Sequence, residues 1–187
     1  MVDARATEPA ELALHLLVLR CQAGDETAFG RLMHLFADKT LRYLRGLLGD
    51  DADDVHQELW LTVYRELGGL ANPGAFRTWL FRTTRHRAID FLRKRRRERE
   101  LFDDVDVEAV DATMDDAASE SWIDAATLGP ALLSIPSLQR EVLLLKYRHE
   151  MSYHEIALVV GCPIGTVRTR LFHAKRRLHE LLQRETP

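Results

Sequence analysis

The fold of this chain is decided most clearly by residues 151–170, which read Met-Ser-Tyr-His-Glu-Ile-Ala-Leu-Val-Val-Gly-Cys-Pro-Ile-Gly-Thr-Val-Arg-Thr-Arg. Ser152 is followed three residues later by Glu155, the capping-box pattern that starts a helix. Gly161 permits a tight turn after that helix. Pro163 suits the first turn of a second helix, because its missing N–H would have no partner there. The stretch therefore predicts two short helices joined by a sharp turn.

Small and apolar side chains in this stretch are spaced so that the two helices pack against each other, which is the pattern of a DNA-binding helix-turn-helix. They are Ile156, Ala157, Val160 and Val167. The outward positions of the second helix carry hydrogen-bond donors, cations and apolar tips, which can read base edges and hold phosphates. We predict DNA contacts at Thr166, Arg168, Thr169, Arg170, Phe172, His173 and Arg176. The alternative is a helix pair that only packs, with a solvated basic face.

The charge of the chain is unevenly distributed. In total 26 Lys and Arg stand against 29 Asp and Glu, and this net charge of −3 by itself argues against a nucleic-acid ligand. Residues 1–97, however, hold 16 basic and 13 acidic residues, and residues 130–187 hold 9 and 5. Residues 98–129 hold 1 basic and 11 acidic residues. Two basic segments therefore flank an acidic one, which reverses the inference from the total.

The acidic segment shows no sustained helical period and repels itself, as a mobile linker does. A structureless loop of this length is uncommon inside a compact domain. We therefore predict two small helical domains, residues 1–97 and 130–187, joined by a flexible acidic linker at residues 98–129. A solvated acidic surface loop is the alternative.

The N-terminal part is predicted to be helical as well, so that the fold class is all-α. Apolar residues recur at spacings of three and four over residues 11–23, 26–48, 50–67 and 76–97, and alternating strand patterns are scarce. Asp25 can cap the second of these helices. The first helix has an apolar face formed by Leu12, Leu16 and Leu19, with Leu14 and Leu17 beside it. The second is expected to bury Phe29, Leu32, Met33, Phe36, Leu44 and Leu47.

The helix predicted at residues 76–97 interleaves aromatic residues with cations. Its buried stripe is expected at Trp79, Leu80, Thr84, Ala88, Phe91 and Leu92. The remaining cations would form a face for nucleic-acid phosphates.

The preceding helix has a polar and acidic face instead. Asp54, Gln57, Glu58 and Leu61 follow the 3–4 spacing of one helix face, which suggests a surface for a protein partner. From the physics alone, carboxylates that complement the start of a helix are an equally good explanation.

The order of these parts carries a resemblance to a known family. Asp-Asp-Val-His-Gln-Glu-Leu-Trp at 53–60 precedes the basic aromatic helix, the acidic segment and Leu-Ser-Ile-Pro-Ser-Leu-Gln-Arg-Glu-Val-Leu-Leu-Leu at 133–145. The helix-turn-helix follows, with Cys-Pro-Ile-Gly-Thr-Val-Arg-Thr-Arg-Leu at 162–171. From about residue 11 to 183 the chain resembles a bacterial extracytoplasmic-function RNA polymerase sigma factor.

The resemblance implies a role for each surface. Asp54, Gln57, Glu58 and Leu61 match the face that binds the clamp helices of the largest polymerase subunit, and the second helix of the helix-turn-helix matches the reader of the −35 promoter element. The turn at 70–75 and the following helix match the parts that capture the melted −10 element. The residues implied there are Asn72, Phe76, Arg85, His86, Arg93, Lys94 and Arg96. His86 stands where the family often has asparagine, and His173 where it often has arginine.

The resemblance also implies partners. They are core RNA polymerase, promoter DNA and an inhibitory anti-sigma protein, and the acidic linker would thread through the basic channels of the polymerase. No cofactor and no small-molecule substrate are expected, and the expected location is the cytoplasm. The N-terminus lacks the features of a signal peptide, and the two cysteines, Cys21 and Cys162, lack zinc-ligand spacing; burial in helix packing is expected for them rather than redox sensing.

An enzyme and a free-standing DNA-binding regulator are the alternatives to a sigma factor. An enzyme is disfavoured, because the sequence has no His-Glu-x-x-His helix, glycine-rich phosphate loop or nucleophile elbow. A free-standing helix-turn-helix regulator with an N-terminal sensor would explain the C-terminal motif alone. It would not explain the acidic helix face or the basic aromatic helix before an acidic linker.

Overall fold

The computed structural model describes residues 4–100, 132 and 134–184. These residues form α-helices, with three 3₁₀ turns within the first hundred residues, and no strand occurs among the described residues. The all-α prediction is confirmed. The helices are α1 (Ala4–Gln22), α2 (Glu26–Leu48), α3 (Ala52–Glu66), α4 (Phe76–Glu100), α5 (Ser137–Tyr147), α6 (Tyr153–Val160) and α7 (Ile164–Arg184). We call α1–α4 the N-terminal module and α5–α7 the C-terminal module. Nearly all of the predicted acidic linker lies outside the described residues.

The first helix starts earlier than predicted and presents a different face. It begins at Ala4 rather than near residue 11. Leu12, Leu16 and Leu19 are 62, 54 and 44% exposed, so the apolar face predicted from them is not the buried one. Val18 is fully buried instead, and Leu14 and Leu17 beside it are half-buried against the core. The helix carries leucines around most of its circumference, and only packing on α2 selects which of them are covered.

The second helix has the ends predicted for it. The Asp25 side chain accepts a hydrogen bond from the Ala28 N–H at 2.9 Å, and this bond together with the Arg20 guanidinium lowers the pKa of Asp25. Gly49 ends the helix with φ 64°, and its N–H donates to the Arg45 carbonyl. Met33, predicted to be buried, is 41% exposed and was wrongly assigned to the core, because it lies on the outer flank of the helix.

The core of the N-terminal module lies where α2, α3 and α4 meet. It contains fully buried large side chains from all three helices: Leu32, Leu44, Leu59, Leu80 and Phe81. Full burial of one such side chain contributes roughly 1.5–3 kcal/mol. The edge-to-face contact of Phe36 and Phe76, at 5.4 Å between ring centroids, adds to this core.

The helix-turn-helix forms as its sequence predicts. The Ser152 Oγ accepts from the Glu155 N–H at 3.2 Å, while the Glu155 carboxylate accepts from the Ser152 N–H at 2.7 Å. Gly161 adopts the left-handed conformation with φ 73°, and its N–H donates to the Ala157 carbonyl. Val167 of α7 is fully buried against the first helix of the pair.

The two modules are in contact with each other. Helix α6 of the C-terminal module packs on α4 of the N-terminal module. One continuous cluster of buried apolar residues includes members of both modules. Because α4 carries the predicted basic face, this contact bears directly on the candidate site. None of the helices in the described ranges is long and apolar enough to cross a membrane.

The two glycines of the helix-turn-helix form a matched pair for a stability test. A Cβ added at Gly161 or at Gly165 would meet no atom within 4 Å, but only Gly161 has a positive φ. We expect Gly161→Ala to lower the free energy of unfolding by about 1–2 kcal/mol, because an L-residue is strained in the left-handed region. Gly165→Ala, in helical backbone, should leave it unchanged or raise it by up to about 1 kcal/mol. Urea denaturation measures both, and equal effects would contradict the assignment of strain to Gly161.

Candidate nucleic-acid interfaces and partner face

The second helix of the helix-turn-helix presents most of its predicted DNA-contacting side chains to solvent. Arg168, Thr169, Phe172 and Arg176 are exposed, and Phe172 is 62% exposed, which is unusual for so large an apolar ring. Thr166, Arg170 and His173 are partly covered. The four exposed residues therefore share one accessible side of α7. This is the geometry needed to place one helix in a major groove.

Intrahelical contacts hold several of these side chains in place. The Thr169 hydroxyl donates to the Gly165 carbonyl at 3.0 Å, and Arg176 pairs with Glu180 one turn further along at 3.7 Å. Phe172 and His173 form an edge-to-face ring pair with centroids 5.5 Å apart. The Phe172 ring and the His173 imidazole are thus held next to each other on α7.

Two tyrosines in the C-terminal module organise cations around this surface. The Arg168 guanidinium lies 5.8 Å from the centre of the Tyr153 ring, and the Lys146 ammonium lies 5.1 Å from the same ring. The Lys175 ammonium lies 5.1 Å over Tyr147, and a hydrogen bond with this tyrosine raises the pKa of Lys175. Such cation–π contacts restrict the cations before DNA arrives. Sequence reasoning missed both tyrosines, since their ring contacts join residues on different helices.

The turn before α4 is fixed from both sides. The Asn72 side chain accepts a hydrogen bond from the Gly74 N–H at 3.0 Å. Asn72 itself is exposed in this turn. The Gln22 amide of α1 donates to the carbonyls of Leu67 and Leu70 at 3.0 and 2.8 Å. Helix α1 therefore positions the predicted −10 loop, a role that the sequence did not reveal.

Phe76 is the one predicted −10 residue that the structure places in the core. Its side chain is fully buried, packed edge-to-face on Phe36 and 6.0 Å from the half-buried ring of Trp79. The prediction that Phe76 contacts DNA is therefore wrong, and Phe76 packs in the core at the start of α4. The resemblance matched Phe76 to the −10 elements by its place at the start of α4, whereas its apolar ring is buried in the core.

The basic face of α4 divides into two parts. Towards its C-terminal end Arg93 and Lys94 are exposed, and Lys94 lies 4.0 Å from Glu98. Arg96 is partly covered and makes further contacts. Arg95 pairs with Asp51, which ties this end of α4 to the start of α3.

In the middle of α4 one cation, Arg85, is covered by the other module. The Arg85 Nε donates to Glu141 of α5 at 2.9 Å, and only 13% of the Arg85 side chain is exposed. His86 is exposed but lines a crevice between α4 and the helix-turn-helix. Partial burial, followed by Arg82 and Arg85, lowers the pKa of His86.

The acidic face of α3 is open to solvent. Asp54, Gln57, Glu58 and Leu61 are all exposed, and Leu61 is 58% exposed. Tyr64, one turn beyond, is 61% exposed and extends the surface with a second apolar group. The face therefore combines carboxylates with apolar tips, as protein-binding surfaces do.

The inner side of α3 is anchored by a buried polar contact. The Trp60 Nε1 donates to the Nε2 of His56 at 3.0 Å, and the Thr40 hydroxyl of α2 lies 3.0 Å from the same nitrogen. Burial lowers the pKa of His56, consistent with a neutral ring that accepts the Trp60 hydrogen bond. This contact fixes the rotation of α3 and hence the direction of its acidic face.

The described residues contain no group of three or more His, Cys, Asp or Glu side chains that could hold a metal ion. Cys21 and Cys162 are free thiols of intermediate exposure. Burial, followed by the nearby Asp25 carboxylate, raises the pKa of Cys21, which makes its thiol less reactive.

Comparison with known proteins yields two family matches. The model of Sigma-70 region 2 matches residues 32–98, and that of Sigma-70 region 4 matches residues 128–178. The first range contains the acidic face of α3 and the basic face of α4. The second contains the helix-turn-helix.

Relatives and solved structures agree with these matches. The RNA polymerase sigma-H factor of Pseudomonas aeruginosa is 34% identical over 89% of this chain and 92% of its own length. The ECF RNA polymerase sigma-E factor of Escherichia coli K12 is 31% identical over 92% of this chain and 96% of its own. The structure of CnrH in complex with the cytosolic domain of CnrY shares 25% identity, with a TM-score of 0.67 over 93% of this chain and 99% of that one.

A second similar structure is the sigma factor RpoE of Bartonella quintana in complex with the anti-sigma factor NepR. It shares 27% identity, with a TM-score of 0.67 over 84% of this chain and 98% of that one. The two matched regions occur here in the order of one family, over nearly the whole length of the relatives, and the chain belongs to the extracytoplasmic-function sigma factors of RNA polymerase.

Proposed function

We propose that this chain is the subunit that directs core RNA polymerase to a two-part promoter and helps to melt it. The observation that carries the proposal is the presence, in one chain and in this order, of matches to sigma-70 regions 2 and 4. A free-standing helix-turn-helix regulator would need only the second of these. We further propose that residues 1–97 and 130–187 act as the two promoter-binding units, with residues 98–129 as the connection.

Recognition of the −35 element is assigned to α7. Its N-terminal half enters the major groove, where Arg168 and Thr169 reach base edges and Phe172 makes apolar contact. His173, Arg170 and the other predicted residues of this helix complete the contact with bases and phosphates. The Tyr153 ring supports Arg168 from the side, so less side-chain freedom is lost on binding.

Capture of the melted −10 element is assigned to the turn at 70–75 and to α4. Asn72 at the tip of the turn offers an amide to an unpaired base. Arg93, Lys94 and Arg96 provide cations for the backbone of the separated strand. His86 is exposed on this face, and Arg85 can contribute once the C-terminal module no longer covers it. Holding an extruded base recovers part of the unstacking cost, which is a few kcal/mol per base.

Binding to polymerase is assigned to the acidic face of α3. Its carboxylates and the exposed Leu61 would meet a basic and apolar partner surface on the core enzyme. Two of the similar structures are complexes with CnrY and with the anti-sigma factor NepR, which supports a protein inhibitor for this chain as well. In this function the chain makes and breaks no covalent bond, the polymerase carries out RNA synthesis, and both act in the cytoplasm.

Run-off transcription tests the function as a whole. Purified core polymerase, the folded chain and a library of promoter fragments from the genome of origin should yield discrete transcripts that core enzyme alone does not make. Absence of any chain-dependent transcript, with a correctly folded protein that binds core enzyme, would refute the proposal.

Arg168→Ala should weaken binding to promoter DNA by about 1–3 kcal/mol and relax base preference at one position of the −35 element. Binding titrations of holoenzyme on single-base variants of a selected promoter measure both effects. Arg31→Ala removes the same charge from the exposed surface of α2 and should leave base preference unchanged. Equal discrimination by Arg168→Ala and the unmodified chain would show that Arg168 reads no base.

Glu58→Arg should weaken association with core polymerase at least tenfold, equivalent to about 1.4 kcal/mol, because it reverses a charge in the acidic face. Glu66→Arg makes the same change two turns further along α3, outside the four-residue face, and should have little effect. Competition against a labelled sigma factor for core enzyme gives the affinities. If both variants bound like the unmodified chain, the polymerase surface would lie elsewhere.

A further inference from the structure

Helix α1 turns one polar face towards the segment that precedes α4. His15, Val18 and Gln22 are spaced three and four residues apart and therefore share this face. Val18 is fully buried, and α1 packs on the 3₁₀ turns at Leu67–Gly69 and Pro73–Ala75. Gln22 donates to backbone carbonyls of this segment, whereas His15 forms no hydrogen bond with another described residue. The hydrogen-bonding capacity of the His15 ring is thus not used within the described part of the chain.

The His15 ring meets the turn at Gly74, and it does so with its edge. A Cβ built on Gly74 would lie 3.6 Å from the Nδ1 of His15 and 3.9 Å from its Cε1, and these are the ring atoms nearest to it. The same Cβ would lie 3.2 Å from the Oδ1 of Asn72. The imidazole edge of α1 and the amide of the turn therefore converge on the bare Cα of one glycine.

The groups that converge there suit an unpaired base. The Asn72 Oδ1 is engaged by the Gly74 N–H at 3.0 Å, so the NH₂ group of Asn72 remains as a donor. A neutral imidazole carries one donor and one acceptor nitrogen. An extruded base is read by hydrogen bonds to its Watson–Crick edge, which carries donors and acceptors side by side. Two neighbouring side chains can therefore read two groups of one base.

The place is open and held in shape before any ligand arrives. Asn72 and Gly74 are exposed, and His15 is half-buried at the side of α1. The Ala75 N–H donates to the Asn72 carbonyl at 2.9 Å, and Gln22 holds the stem of the turn from α1. Groups that are already ordered lose little conformational entropy when they bind.

We propose that His15 of α1 is a base-reading residue of the −10 site and that, together with Asn72, it selects the extruded base at one position of the −10 element. The proposal rests on the proposed function, which assigns capture of the melted strand to the turn at 70–75 and to α4. It adds a residue from a third element, α1, which the sequence did not connect with DNA. A glycine is required at Gly74, because a Cβ there would displace the Asn72 amide.

Bubble promoters, in which the −10 strand is unpaired from the start, measure base selection separately from melting. Holoenzyme formed from core polymerase and the full chain is titrated with templates that carry each base in turn at every unpaired position. His15→Ala should reduce the preference at one position about fivefold or more and leave the other positions unchanged. His15→Phe keeps a ring but removes both nitrogens, and it should behave like His15→Ala. His34→Ala makes the same change at an exposed histidine of α2 and should alter no preference.

Gly74→Ala tests the same point from the side of the turn. Gly74 does not have a positive φ, so alanine fits its backbone, while the added Cβ presses on Asn72. This variant should change the preference at the position that His15→Ala affects. When His15→Ala and Asn72→Ala are combined, their losses of discrimination in free energy should not add at that position, because both side chains contact one base.

A loss at one position that is shared by His15→Ala and Gly74→Ala supports the proposal. An unchanged preference after His15→Ala overturns it. An equal loss at every position also overturns it, because His15 would then only pack against the turn. Normal discrimination by His15→Phe would have the same meaning, since a ring without nitrogens would suffice.

Two further controls separate the possible failures. Urea denaturation shows whether each variant is folded, and if His15→Ala does not fold, His15→Phe and Gly74→Ala decide the question. Chain-dependent transcripts together with unchanged −10 discrimination in the variants refute the role of His15 alone. Absence of chain-dependent transcripts refutes the proposed function, and the role of His15 falls with it.

Discussion

The contact between the two described modules is built around one buried carboxylate. Glu141 stands in an apolar helix of the C-terminal module, where an isolated charge would be prohibitively costly. It is tolerated because Arg85 and Tyr43 reach it from the other module. The two modules therefore supply each other's missing polar partners, and this requirement determines which face of α4 meets α6.

Helix α4 has to satisfy two opposing demands. Its apolar stripe, with Leu80, Phe81 and Ala88 fully buried, closes the core of the N-terminal module. Its remaining surface carries the cations that a nucleic-acid backbone requires. Because the apolar stripe and the cations share the surface of one helix, any element that packs on the cationic side of α4 covers some of those cations. The contact of α6 with α4 and the ion pair of Arg85 with Glu141 cover part of the cationic side in this way.

The parts that could be predicted from sequence are those controlled by neighbours along the chain. The capping box of Ser152 and Glu155, the cap at Asp25 and the turn at Gly161 each depend on backbone groups within four residues. The exposed face of α3 was also correctly placed, because helical spacing alone assigns Asp54 and Glu58 to one side. The resemblance to the sigma factors depended on the order of such local patterns, and the comparisons bear it out.

Errors and omissions occurred where contacts join distant residues. Met33 was misjudged because spacing shows that a residue is apolar without showing what covers it. Phe76 was misjudged because the resemblance matched its position in the chain without showing that its ring is buried. Tyr153 and Gln22 were missed, although the first organises Arg168 and the second holds the turn before α4. An Arg140-Glu141 pair inside a leucine-rich helix was the one visible sign of the interface, since charges are rarely placed among leucines without a partner.

The sequence by itself determined the helices, their caps, the helix-turn-helix and the separation of charge into two basic segments and one acidic one. These features follow from backbone hydrogen bonding, side-chain entropy and net charge, all of which are local or additive along the chain. Only the tertiary structure decided how much of the basic face of α4 is accessible. That choice depends on Glu141 meeting Arg85 and Tyr43, at sequence separations of 56 and 98 residues. No local pattern encodes such a meeting, because it is the packing of α4 against α6 that brings the partners together.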